Sequence, residues 1–140
     1  SNLPKVFLAG SIEQGTAELW QEYVINLLGD NEIIVFNPRR KVWDATLSQD
    51  IQNDIFREQV EWELDALDTA NYILFYFDPN TKSPITLLEL GLHAHSKKCI
   101  VVCPEPFWRK GNVDIVCNRY NILQYDTLDH AIQYLQQIAA

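Results

Sequence analysis

The run Tyr72-Ile73-Leu74-Phe75-Tyr76-Phe77 is apolar at every position. A strand with no polar face belongs inside a parallel sheet that is covered on both sides. Four more short segments read as strands: residues 5–10, 32–37, 99–103 and 121–125. Between them, apolar positions recur at helical spacing over residues 16–28, 51–70, 84–96 and 128–138. Residues 38–49 read as a loop, and 104–118 as an irregular connection with room for one short helix. Strand and helix alternate along the whole chain, which predicts an α/β protein with one open parallel sheet between two helical layers. No repeat, low-complexity tract or linker interrupts the pattern, so residues 1–140 read as one domain.

The expected architecture is a flavodoxin/Rossmann-like three-layer sandwich with five parallel strands in the order 2-1-3-4-5. Such sheets bind ligands beyond the carboxyl ends of their strands, near the point where the strand order reverses. That rule directs attention to Ala9-Gly10-Ser11-Ile12, to Asn37-Pro38-Arg39-Arg40, to the stretch from Phe77 to Ser83, and to the chain from Pro104 onward.

Two carboxylates break the helical patterns there. On the 51–70 helix, at about 100° per residue, Phe56, Val60, Leu67 and Ala70 form an apolar stripe and Glu63 falls in its middle. Glu63 is either paired at the helix edge or aimed at the sheet for a purpose. In the helix that starts at Pro84, Glu89 is the one charge before Lys97. Ser83 and Pro84 suit the N-cap and N1 positions. The helix is apolar almost all round, which predicts extensive burial, with Glu89 on a face with Ile85, Leu88 and Leu92. Gly91 suggests close backbone approach. An unpaired buried carboxylate is costly, so Glu89 needs a strong partner or a task. Two inward carboxylates on neighbouring helices suit a nucleophile and an acid–base partner, the division of labour in retaining glycosyl transfer.

Composition narrows the field. A net charge of −8 disfavours a nucleic-acid partner, which needs a basic footprint. No apolar run is long enough to span a membrane, and residues 1–5 lack the features of a signal peptide. The odd set Cys99, Cys103 and Cys117 suggests reduced thiols in a cytoplasmic protein, packed as small hydrophobes. No metal spacing is present: His93 and His95 are two apart on a helix and face apart. Gly10 and Gly15 do not make a dinucleotide fingerprint, and no P-loop or nucleophile elbow is visible. Gly10-Ser11 at the end of the first strand suits a hydroxyl or phosphate contact or an ordinary turn. Arg39 suits a phosphate or plain solvent. Trp108 and Tyr120 suit a pocket wall or a subunit contact.

Val6-Phe7-Leu8-Ala9-Gly10-Ser11, then Val60-Glu61-Trp62-Glu63 onward to Asn71, then Ser83 to Gly91, together resemble the nucleoside 2-deoxyribosyltransferase family, and most of all its compact bacterial and phage branch. Leu87-Leu88-Glu89-Leu90-Gly91 is similar to that family's nucleophile motif. The resemblance implies that Glu89 attacks C1′ of a nucleoside or deoxynucleoside to form a glycosyl–enzyme. Glu63 assists the leaving base, from a position where the family usually has aspartate. Ser83 stands where transferases on free nucleosides have aspartate and where the related deoxynucleoside 5′-monophosphate N-glycosidases have a phosphate-binding serine. Gly10, Ser11 and Ile12 resemble the phosphate-side loop of that hydrolase branch, although Glu13 follows where arginine is usual. Phe7 replaces a first-strand tyrosine, so the nucleophile lacks that hydroxyl. Phe7, Asn37 and Arg39 fall in the substrate region. The segment Gly111-Asn112-Val113-Asp114 is the match for a contribution from a neighbouring subunit, with Asn112 as its substrate contact, and implies a homodimer or larger. No cofactor or metal is implied. The alternatives are the 5′-monophosphate hydrolase and a non-catalytic nucleotide sensor or interaction domain.

Overall fold

A computed structural model describes residues 3–11, 19–38 and 51–139. Five strands, β1 (Lys5–Gly10), β2 (Ile34–Phe36), β3 (Tyr72–Tyr76), β4 (Cys99–Val102) and β5 (Leu123–Tyr125), form one sheet in the order β2-β1-β3-β4-β5. Every pairing is parallel; β1 and β3 align Val6 with Tyr72 and Gly10 with Tyr76. The flavodoxin-like expectation holds, including the strand order.

The pleat sorts the strand residues between two cores. Phe7, Ala9, Ile73, Phe75, Phe77, Cys99, Val101 and Cys103 face one layer, with Ala66, Leu67, Leu90, Val113 and Cys117 from the helices over it. Val6, Leu8, Leu74, Tyr76, Ile100 and Val102 face the other, against Trp20, Val24, Leu28, Ala131, Ile132 and Leu135. This period of two, with both faces apolar, is what a covered parallel sheet requires. Helices α2 (Asp54–Thr69), α3 (Pro84–His93) and α4 (Lys110–Arg119) therefore cover one face, and α1 (Trp20–Leu28) and α5 (Leu128–Ala139) the other.

Several boundaries differ from the sequence reading, for local reasons. Helix α2 starts at Asp54 because Asn53 caps it: the Asn53 side chain accepts from the N–H groups of Ile55 and Phe56, each at 3.1 Å. Helix α3 stops at His93 because Ser96 turns back on it. The Ser96 backbone N–H and hydroxyl both donate to the His93 carbonyl, at 2.9 and 2.7 Å, and Lys97 takes a left-handed φ of 63°. The connection after β4 contains a full helix, α4, where an irregular segment was expected. Gly111 and Asn112 are poor helix formers. They are outweighed by burial of Val113 and Cys117, one turn apart against the sheet, and by the Lys110–Asp114 ion pair at 3.0 Å. The segments 12–18 and 39–50, which include the expected start of the first helix and the loop with Arg39, lie outside the described residues.

Helix α3 is not buried all round. Ile85, Leu88 and Leu92 are 61%, 60% and 57% exposed, whereas Glu89 is 8% exposed. The buried arc runs from Glu89 through Thr86 and His93 to Leu90, and the three aliphatic residues lie on the other side of Glu89. Glu89 therefore does not share their face but marks the edge of the buried one. Gly91 lies on the exposed arc, and a Cβ there would meet nothing within 4 Å. Among the described residues, the close approach inferred from that glycine does not occur.

Candidate active site

The carboxyl ends of β1 and β3 are tied together by hydroxyls. Ser11, immediately after β1, is fully buried. Its Oγ accepts from the Asp78 backbone N–H at 2.8 Å, lies 3.0 Å from Thr81 Oγ1, and is hydrogen-bonded to Ser83 Oγ. Thr81 Oγ1 also donates to the Asp78 carbonyl at 2.9 Å and lies 2.8 Å from Ser83 Oγ. Thr81, Ser83 and Asp78 are buried as well. Ser83 occupies the N-cap position of α3, with Pro84 at N1, but its side chain makes no capping bond. The hydroxyl is turned into the cluster instead. Ser83 has φ 48° and ψ 53°, a left-handed conformation that costs a non-glycine residue roughly 1 kcal/mol.

Gly10 matters for packing. A Cβ on it would run into the Trp20 ring and come within 2.7 Å of the Tyr76 carbonyl. The Trp20 indole N–H in turn donates to the Ser11 carbonyl at 3.2 Å, which fixes the chain as it leaves the sheet.

Glu89 projects from the second turn of α3 onto its buried side. Among the described residues none donates a hydrogen bond to its carboxyl and no cation pairs with it. Burial first, and the charge of Glu63 second, push its pKa up from 4.5 to about 8. Glu63, on α2, is half-buried, and its Oε2 accepts from Gln59 Nε2 at 3.0 Å, one helical turn earlier. The structure thus brings the two singled-out carboxylates within electrostatic reach of each other on neighbouring helices.

The other expected residues are placed less uniformly. Phe7 is fully buried in the core layer beneath α2 and α3, with its ring 6.4 Å from that of Trp62. Asn37 is half-buried just past β2, at the carboxyl edge of the sheet. Asn112 is exposed in the first turn of α4. Arg39 lies outside the described residues. Sequence reasoning missed Thr81, Asp78 and Gln59. The turn Asp78-Pro79-Asn80-Thr81 follows a strand in the sequence pattern, but no pattern marks a threonine whose partners are 2, 3 and 70 residues away.

The three cysteines are free and buried. Burial holds all three thiols above their usual range, Cys103 at about 11 and Cys117 at about 12, so they pack as hydrophobes. Among the described residues no group of three histidine, cysteine or acidic side chains is arranged to hold a metal. No helix of the described residues is long and apolar enough to cross a membrane.

A parallel sheet covered on both faces, with a buried carboxyl facing a second carboxylate on the next helix, defines an α/β protein of the class that binds ligands at the carboxyl ends of its strands. Residues 3–107 match the model of a family described as nucleoside 2-deoxyribosyltransferase-like. The match covers well over half of the chain, and the protein belongs to that family. Among curated proteins no significant match is found. Among solved structures, a conserved protein from Enterococcus faecalis is similar in fold, with a TM-score of 0.67 and 9% identity over 97% of this chain and 99% of that one.

Proposed function

We propose that the protein cleaves or transfers the N-glycosidic bond of nucleosides or deoxynucleosides through a covalent glycosyl–Glu89 intermediate. The observation that carries the reading is the nearly buried Glu89 carboxyl facing Glu63 at the ligand-binding edge of a family fold whose name is nucleoside chemistry. Glu89 passes its proton to Glu63, the carboxylate so formed attacks C1′, the C1′–N bond breaks, and Glu63 delivers that proton to the departing base. Water or a second base then takes the sugar from Glu89, with Glu63 accepting the proton. Gly10, Ser11, Asn37, Arg39 and Ser83 bound the sugar side. Asn112 enters from a second copy, and Phe7 lies under the floor. We place the protein in the cytoplasm, in keeping with three free thiols, as one domain and as a homodimer or larger that works without cofactor or metal.

The test is base release, followed by chromatography, from a panel of nucleosides and 5′-monophosphates, with and without a second free base. Glu89→Ala should abolish release while the protein stays folded; full activity in that variant overturns the reading. Because the pair must hold one proton for the departing base, release should fall about tenfold per pH unit as pH rises past the Glu89 pKa of about 8. Preference for 5′-monophosphates would make the enzyme a nucleotide N-glycosidase, the variant favoured by a hydroxyl rather than a carboxylate at Ser83.

One observation favours a second reading, a nucleotide-binding sensor. Phe7 has no hydroxyl to offer, and Glu89 receives no hydrogen bond from the described residues. Ligand-dependent thermal stabilisation without any turnover would support it.

A further inference from the structure

One proton assignment for the hydroxyl cluster beneath α3 uses every donor once and closes a ring. Each of Ser11, Thr81 and Ser83 has a single hydroxyl proton, whereas a backbone N–H can only donate and a carbonyl can only accept. The Asp78 N–H donates to Ser11 Oγ at 2.8 Å. Ser11 donates to Ser83 Oγ, in preference to the Tyr76 carbonyl at 3.4 Å. Ser83 donates to Thr81 Oγ1 at 2.8 Å, and Thr81 donates to the Asp78 carbonyl at 2.9 Å. The chain of donors begins and ends on the same residue. A buried ring of this kind is rigid because opening it leaves a buried polar group unpaired.

The ring also accounts for the backbone of Ser83. Nothing in a serine favours φ 48°, and its side chain makes no capping bond to α3. The hydroxyl is instead held on two sides, by Ser11 from β1 and by Thr81 from the turn after β3. Pro84 follows directly, so the conformation of Ser83 sets the direction in which α3 leaves the sheet edge. Glu89 lies at the border between the buried and exposed arcs of α3. A small rotation of the helix about its axis would carry that carboxyl out towards solvent.

We infer that Thr81 is a positioning residue: the hydroxyl ring it closes holds Ser83 left-handed at the head of α3 and thereby sets the burial and aim of the Glu89 carboxyl. Its bearing on catalysis rests on the role proposed for Glu89, whereas its effect on the surroundings of Glu89 does not. The charged group that faces Glu89 from the neighbouring α2 is Glu63, so rotation of α3 changes both the desolvation and the repulsion that Glu89 experiences.

The experiment is a carbon-13 NMR titration of glutamate side chains, with the Glu89 signal identified by its loss in Glu89→Gln. In the unaltered protein Glu89 should titrate near 8. Thr81→Val keeps the shape but breaks the ring, and should lower that midpoint by about one pH unit or more, because a more solvated carboxyl ionises more easily. Thr81→Ser keeps the hydroxyl and should restore it. Adding Ser83→Gly to Thr81→Val should also restore it, since glycine holds a positive φ without help. Should Thr81→Val fail to fold, Ser11→Ala opens the ring on its other side and carries the same expectation. An unchanged midpoint in the ring-opened variant, or a Thr81→Ser that behaves like Thr81→Val, overturns the inference. Where base release is measurable, Thr81→Val should lower kcat with KM little changed. If no base is released by any form, the titration still decides the role of Thr81 while the glycosyl reading falls.

Discussion

Burial and the Glu63 charge act on Glu89 in the same direction, and the consequence reaches beyond catalysis. With a folded pKa of about 8 against an ordinary 4.5, the native protein keeps a proton that the unfolded chain releases. The stabilisation from that proton is complete below the unfolded value and is lost as pH rises through the folded one. The slope is about 1.4 kcal/mol per pH unit across the interval. Glu89→Gln has no such proton to lose. Urea midpoints should therefore favour Glu89→Gln over the unaltered protein increasingly from mildly acidic pH up to about 8. Parallel pH profiles for the two would show that the carboxyl is solvated in the native state. In the role proposed for Glu89, a carboxyl that destabilises its own fold at working pH is an expected cost of function.

At the level of elements, most of the sheet and its order could be read from periodicity, because apolar runs such as Tyr72-Ile73-Leu74-Phe75-Tyr76 have one comfortable location. Glu63 and Glu89 were legible for the converse reason: each is a charge in an apolar pattern. Helix ends were less so, since they depend on single side chains. Asn53 stands in a polar stretch, Gln52-Asn53-Asp54, where several residues could cap, and only geometry shows that Asn53 receives both N–H groups. Asn53→Ala should lower stability by about 1 kcal/mol, measurable by denaturant unfolding. Helix α4 was hidden because Gly111 and Asn112 argue locally against a helix that the core contacts of Val113 and Cys117 require. Thr81 was illegible because its partners belong to other elements. Ring closure is a property of the folded sheet edge, and no spacing along the chain encodes it.

On the scale of the molecule, α3 has two faces with different duties. One buries Thr86, Glu89 and Leu90; the other leaves Ile85, Leu88 and Leu92 largely in solvent, with Gly91 between them. The chain carries a net charge of −8, so two copies repel over most approaches. The outer face of α3 carries no charged side chain, and a glycine there lets a second helix come close. If the homodimer proposed above forms through α3, it would cover that stripe. Leu88→Glu would put like charges at the centre of such a contact without touching the core, because Leu88 is 60% exposed. Sedimentation equilibrium should show the unaltered chain as a dimer or larger and Leu88→Glu as a monomer of unchanged helical content. A monomer in both cases would remove the second copy from the site and would require this chain alone to enclose its substrate. In that event Asn112, exposed on α4, would lose its proposed place in the pocket.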